Sequence, residues 1–252
     1  VWTCDGANDG DDVTVSTLFD FNGVLVDDES VHLAAFRAVV EPLGIVIDDA
    51  TYAARYLGFD DAGAFRAMLE DSGANASDAE VARLVAAKRP VYMQMIEGAL
   101  VMFDGAADIV RRRAELGPVG IVSGALKEEI EHALAVMGVR DAIAFIVSAD
   151  DTTRCKPDPE GYTLALKALD EALPVGRRAR SHVIVIEDSL AGIEAAKAAG
   201  LRCAAVAHSY SAEKLRAAGA DIVVQHLADL TDDMLDYEPA PHGPASGGPS
   251  ER

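Results

Sequence analysis

Six short apolar runs, separated by helix-length amphipathic stretches, constrain this chain more than any other feature of its 252 residues. They are Val13–Phe19, Pro118–Val122, Ala144–Val147, His182–Ile186, Arg202–Val206 and Asp221–Val224. Runs this short and this rich in Val and Ile read as strands buried on both faces. Helices are expected between them. From Glu29, the residues Val31, Ala35, Ala38 and Val39 form an apolar stripe at helical spacing, ended by Pro42 and Gly44. Asp104 is the expected N-cap of a helix through Leu116, and Ala125–Met137 is a further helix. Asp158 and Pro159 suit the N-cap and first position of a helix to Leu173. Gly200 stops a helix over Leu190–Ala199, and Ala212–Ala218 is the last.

Strands alternating with helices predict an α/β fold, a Rossmann-like parallel sheet covered on both faces. The helical stretch from Glu29 to Gly98 breaks the alternation and reads as an inserted small α-helical domain. The expected organisation is a core of residues 13–28 and 101–236, an insertion over 29–100, and disordered ends at 1–12 and 237–252, which are small, polar and rich in Gly, Pro or Ser.

Charge narrows the partners. Asp and Glu number 42 against 22 Lys and Arg, a net charge of -20. That excludes a general grip on nucleic acid and argues against a polybasic membrane anchor. No apolar run is long enough for a bilayer span, and residues 1–12 lack the basic start and apolar run of a signal peptide. Cys4, Cys155 and Cys203 are widely spaced, which predicts a reducing, cytoplasmic setting. A monomer is the favoured state.

Ligands of open parallel sheets bind beyond the carboxyl ends of the strands. The polar residues there are Asp20, Ser123-Gly124 and Glu187-Asp188, with Lys156 just ahead of the Pro159 helix. A carboxylate, a hydroxyl, a cation and a carboxylate pair suit magnesium-assisted phosphoryl transfer.

Four segments, Phe19-Asp20-x-x-Gly23-Val24, Ser123-Gly124, Lys156-Pro157-x-Pro159 and Glu187-Asp188-Ser189-x-x-Gly192, resemble in order the motifs of the haloacid dehalogenase superfamily. The resemblance covers roughly Thr14 to Asp236, and the insertion after the first motif is similar to the helical cap of the β-phosphoglucomutase and phosphoglycolate phosphatase subgroup. It implies a haloacid dehalogenase fold acting on a small phosphorylated metabolite. It implies Asp20 as nucleophile, Mg²⁺ on Asp20, Asp188 and the backbone carbonyl of Asn22, and Glu187 binding directly or through water. Ser123 and Gly124 would hold the phosphoryl group, with Lys156 neutralising its charge. His32 and Lys88, on the cap, are candidate substrate contacts, although each also suits an ordinary surface position.

Asn22 departs from the pattern, which has Asp as general acid and base two residues after the nucleophile. An amide exchanges no proton, and losing such a group typically costs about 10²–10⁴-fold. The readings left open are a slow phosphatase, proton transfer by another group or the substrate, and a phosphate-ester binder without turnover. A phosphosugar mutase is a further alternative, weakened by the acidic stretch Leu57-Gly58-Phe59-Asp60-Asp61 where a second phosphate clamp is expected. Glu187-Asp188 argue against a metal-free dehalogenase, and Lys88 leaves open a Schiff-base phosphonate cleavage.

Overall fold

A computed structural model describes residues 15–97, 100–172 and 183–236. The expected disordered ends lie outside these residues, as do Val13, Gly98, Leu173 and His182. Six parallel strands form one sheet, β1 (Ser16–Phe19), β2 (Val119–Val122), β3 (Phe145–Val147), β4 (Val183–Glu187), β5 (Arg202–Val206) and β6 (Ile222–Val224), in the order β3-β2-β1-β4-β5-β6. The central strands β1, β2 and β4 are buried along their whole length, as their unbroken apolar runs require.

Alternation within each strand sorts side chains to two faces. Ile184 and Ile186 point into one core, with Phe19, Ile121 and Val206. Helices α5 (Ala106–Leu116) and α6 (Lys127–Met137) cover it with Ile109, Val110, Ile130 and Leu134. Val183 and Val185 point into the other, with Leu18, Val122 and Cys203. There α7 (Glu160–Ala172), α8 (Leu190–Ala198) and α9 (Ala212–Ala217) contribute Tyr162, Leu166, Leu169, Ile193 and Leu215. The last helix, α10 (Asp232–Asp236), is tied to α5 and β1 through buried Arg113, which donates to Thr17, Asp232 and Asp236 at 2.8–3.0 Å.

One expected cap differs. Gly105, not Asp104, stands at the N-cap of α5, with φ 82° and no side-chain hydrogen bond to the helix. A residue there must adopt the left-handed conformation, which glycine enters without steric cost.

Residues 29–97 add no strand to the sheet. They form α1 (Glu29–Val40), α2 (Asp49–Arg55), α3 (Asp61–Ser72) and α4 (Asp78–Ile96), around a separate core of Phe36, Tyr52, Phe65, Met68 and Leu84. Asp48, Asp60 and Ser77 cap α2, α3 and α4, each side chain accepting the backbone N–H of the third residue of its helix. The chain enters and leaves this unit side by side. Val26 bridges Met102 in antiparallel fashion, Asp27 N–H donates to Val101 O at 2.9 Å and Phe103 N–H to Leu25 O at 3.1 Å.

Candidate active site

Register brings the expected groups together. The last pairs of β1 are Phe19↔Ile186 and Phe19↔Ile121, so one step further Asp20 lies between Glu187 and Val122. Sheet order reverses at β1 and β4, the place where a crevice opens above a doubly wound sheet. A cavity of about 1130 Å³ occupies it, walled by Asp20, Asn22, Ser123, Gly124, Lys156 and Asp188 from below and by the cap residues His32, Phe36 and Phe59 from above.

Lys156 organises the floor. Its Nζ reaches Asp20 Oδ1 at 2.9 Å, Glu187 Oε1 at 2.6 Å and the Val122 carbonyl at 3.1 Å, so its three protons are all engaged. Glu187 is fully buried and equally engaged. Oε1 also accepts from the Tyr162 hydroxyl at 2.8 Å, and Oε2 from Ser189 Oγ and the N–H groups of Asp188 and Ser189 at 3.0–3.3 Å. The helix face leaves room for this carboxylate only because residue 192 is glycine. A Cβ there would lie 1.8 Å from Glu187 Oε1.

Asp20, Glu187 and Asp188 each offer an oxygen within 4.8 Å of the others. Crowding shifts their acidity. Burial pushes the Asp20 carboxyl up to about 6, with Lys156 pulling it down and Glu187 pushing it further up. Burial, then Asp20 and Glu187, hold Asp188 well above the usual carboxylate range. Lys156 is raised, because Asp20 and Glu187 outweigh its own burial. Three buried carboxylates against one ammonium leave an excess of negative charge and an all-oxygen donor set, which fits a hard divalent cation. Asp188 also accepts from Ser209 Oγ, and Gly23, at φ 77°, passes so close that a Cβ would meet Asp188 Oδ2 at 2.1 Å. Ser189, not Asp188, caps α8, accepting from Gly192 N–H at 3.0 Å.

Ser123 is 7% exposed and accepts the Ala125 N–H at 3.1 Å. Asn22 spans the floor and the cap stem, its Oδ1 accepting from Ser123 Oγ at 3.5 Å. Its Nδ2 donates to both oxygens of buried Asp28, at 3.0 and 2.8 Å, and lies 3.2 Å from His32 Nε2. His32 lines the cavity and stacks on Tyr92 at 4.4 Å. Lys88 does not line it. It is fully buried, 2.7 Å from His32 Nδ1, paired with Asp61 and 4.3 Å above the Phe36 ring. Asp60 caps α3 and Asp61 pairs with Lys88, so the acidic stretch of the cap is structurally occupied.

Sequence reasoning missed Tyr162, Ser209, Asp28 and Glu129. Tyr162 carried a signal, since it starts the buried stripe Tyr162, Ala165, Leu166 and Leu169 of α7. The others face the site through contacts distant in sequence or, for Asp28, through a turn.

The chain belongs to the haloacid dehalogenase-like hydrolase family, whose pattern matches residues 17–206. It is 32% identical over 217 residues to validoxylamine A 7'-phosphate phosphatase of Streptomyces hygroscopicus subsp. limoneus, covering 84% of this chain and 94% of that one. It is 28% identical over 231 residues to protein CbbY of Cereibacter sphaeroides, covering 84% and 92%. Among solved structures, CbbY of Rhodobacter sphaeroides in complex with phosphate superimposes with a TM-score of 0.73 at 25% identity, covering 86% of this chain and 96% of that chain. The β-phosphoglucomutase of Clostridium difficile shares the fold, with a TM-score of 0.76 at 23% identity over 88% and 96%. No helix among the described residues is long and apolar enough to cross a membrane.

Proposed function

We propose that this chain is a Mg²⁺-dependent phosphomonoester hydrolase that works through an aspartyl phosphate on Asp20. The observation that carries the reading is the Asp20–Lys156 pair, 2.9 Å apart, beside Asp188 on the floor of the cavity. Asp20 Oδ attacks phosphorus and the ester P–O bond breaks, the leaving oxygen taking a proton from water to depart as the alcohol. A second water attacks phosphorus, the Asp20 O–P bond breaks to restore the carboxylate, and the proton it sheds returns to water, so the two proton transfers cancel. Lys156 holds Asp20 in place and offsets charge on the phosphoryl oxygens, while Glu187 and Tyr162 hold Lys156. Ser123 Oγ and the Gly124 N–H bind the phosphoryl group. Asp20, Asp188 and the Asn22 carbonyl would hold Mg²⁺, which supplies charge neutralisation between two anions. Glu187, with both oxygens engaged, serves the lysine in preference to the metal.

The unit over 29–100 acts as a cap that excludes water when closed. Contacts that favour the closed arrangement are Arg89 with Glu128, and the Tyr210 hydroxyl donating to Leu57 O at 3.5 Å. Relatives named for phosphorylated carbohydrates and for validoxylamine phosphate support a polyhydroxylated ester as substrate. Asn22 favours one rival, ester binding without turnover. Asp60 and Asp61, already engaged, offer no clamp for the second phosphate of a mutase intermediate.

Phosphate release from a panel of monoesters, with Mg²⁺ and with EDTA, tests the proposal. Activity is expected with Mg²⁺ only, and none in Asp20→Ala. Full activity in EDTA or in that variant would refute it.

A further inference from the structure

Glu129 belongs to the first turn of α6 but is not explained by it. Its Oε2 accepts the Leu126 N–H at 3.1 Å and so caps the helix. Its Oε1 is buried and has no hydrogen-bond partner among the described residues. The residue is 3% exposed and lines the cavity under the cap. Unpartnered buried carboxylate oxygens are rare and call for a reason. The cap groups whose charge reaches Glu129 are His32, Lys88 and Asp61. Lys88 is already paired with Asp61 and with His32 Nδ1, and His32 Nε2 faces Asp28 at 3.3 Å. None of them satisfies Oε1.

We infer that Glu129 Oε1 is the acceptor for a hydroxyl of the substrate's alcohol part, which makes Glu129 a specificity-determining residue for polyol phosphates. The inference rests on the phosphatase reading and deepens it. An acceptor oxygen at this point does not suit a phosphate, whose oxygens are themselves acceptors. It suits an O–H or N–H donor, and a polyol carries several. Aryl and simple alkyl esters bring no donor to Oε1 and leave it unpaired, so the site discriminates against them.

Glu129→Gln isolates this role. The amide oxygen keeps the Leu126 N–H bond, and the NH₂ group takes the place of Oε1, turning an acceptor into a donor. The parent and the variant are compared on sorbitol phosphate, inositol phosphate and p-nitrophenyl phosphate. For the polyol ester the parent prefers, kcat/KM is expected to fall about 10- to 100-fold, the weight of one hydrogen bond to a charged group. For p-nitrophenyl phosphate it is expected to change less than about 2-fold on the same scale. Equal losses on both kinds of ester, or no loss on the polyol, overturn the inference. So does a parent that neither binds nor hydrolyses any polyol phosphate. Calorimetric binding of the same polyol phosphates keeps the two readings apart. A parent that binds them but releases no phosphate from any ester refutes hydrolysis, while the parent-to-variant affinity ratio still decides Glu129. If Glu129→Gln does not fold, Glu129→Asp, which draws the carboxylate back by one methylene, is compared in the same way.

Discussion

Replacing Asn22 with Asp puts back the carboxyl group that this family's pattern has, and on sequence grounds that change alone should raise kcat by up to about 10²–10⁴-fold. The surroundings of Asn22 predict less. Its Nδ2 donates to both oxygens of Asp28, at 3.0 and 2.8 Å, and Asp28 is 1% exposed. Burial alone would raise Asp28, but His32, Tyr92 and Asn22 outweigh it and hold the carboxyl below its ordinary value. A second carboxylate about 3 Å away would repel it by about 5 kcal/mol at an effective dielectric constant near 20. The pair would then share one proton at neutral pH, as crowded carboxylates do. Asn22→Asp alone is therefore expected to lower the melting temperature and to gain less than about 10-fold in kcat, because a shared proton is a poor exchangeable one. Asn22→Asp combined with Asp28→Asn restores an amide–carboxylate contact with the roles reversed, and this variant is expected to reach the full gain. The assay is steady-state phosphate release for the four proteins of the double-mutant cycle, with melting curves alongside. Peptide mass mapping accompanies it, since deamidation at Asn22-Gly23 makes the same carboxylate. A single variant with the full gain and an unchanged melting temperature would refute the reasoning about Asp28. No gain in either variant would show that proton transfer at this position does not limit turnover.

Asp20→Asn should stabilise the metal-free protein at neutral pH. A carboxyl raised from 3.8 to about 6 contributes stability that is present below pH 3.8 and lost as pH rises through 6, so the variant's advantage in EDTA should grow over that window to about 3 kcal/mol. Equal melting temperatures at pH 5 and 7.5 would contradict this. Gly192→Ala drives a methyl into Glu187 and should displace Lys156, cutting kcat by more than about 10-fold with a lower melting temperature; a fully active variant would show that Glu187 does not position the lysine. Asp232 is pushed up by burial but held below its ordinary value by hydrogen bonds from Arg113 and Arg112. Asp232→Asn should therefore melt earlier near neutral pH, and the difference should close as pH falls through the lowered pKa of Asp232. A gap that persists in acid would point to packing of α10 instead.

The strand ends were legible because a parallel sheet leaves its polar residues where each apolar run stops. Asp20, Ser123 and Glu187-Asp188 each follow such a run, and Asp158 accepts the Glu160 N–H at 2.9 Å where a helix start was expected. What could not be read depends on pairs distant in sequence. Nothing local marks Tyr162 as a partner of Glu187, or Ser209 as a partner of Asp188. Lys88 resembled a solvated helix lysine, yet it is buried because Asp61 and His32 come from two other helices to meet it. Within the cap, only the first helix was delimited, ended by Pro42 and Gly44, and three further capped helices follow it. Asp48, Asp60 and Ser77 were the available signals, and the acidic composition around them hid their role. At α5 the rule that favours Asp at an N-cap lost to the left-handed turn that only Gly105 adopts freely.

The paired stretches at Leu25–Asp27 and 101–103 make the cap an appendage on a single stem. Because its two ends are hydrogen-bonded neighbours, the whole unit can be cut out and the stem closed by a short turn without redirecting β1 or α5. Shortening so long a loop to a few residues would lower the entropy of closing it by about 2–3 kcal/mol, which partly offsets the surface that the cap now covers. The same geometry suits transplantation. A cap from another chain with matching stem ends could be spliced at these positions, so the module that selects the alcohol and the sheet that holds Asp20 and Lys156 can be recombined as separate parts.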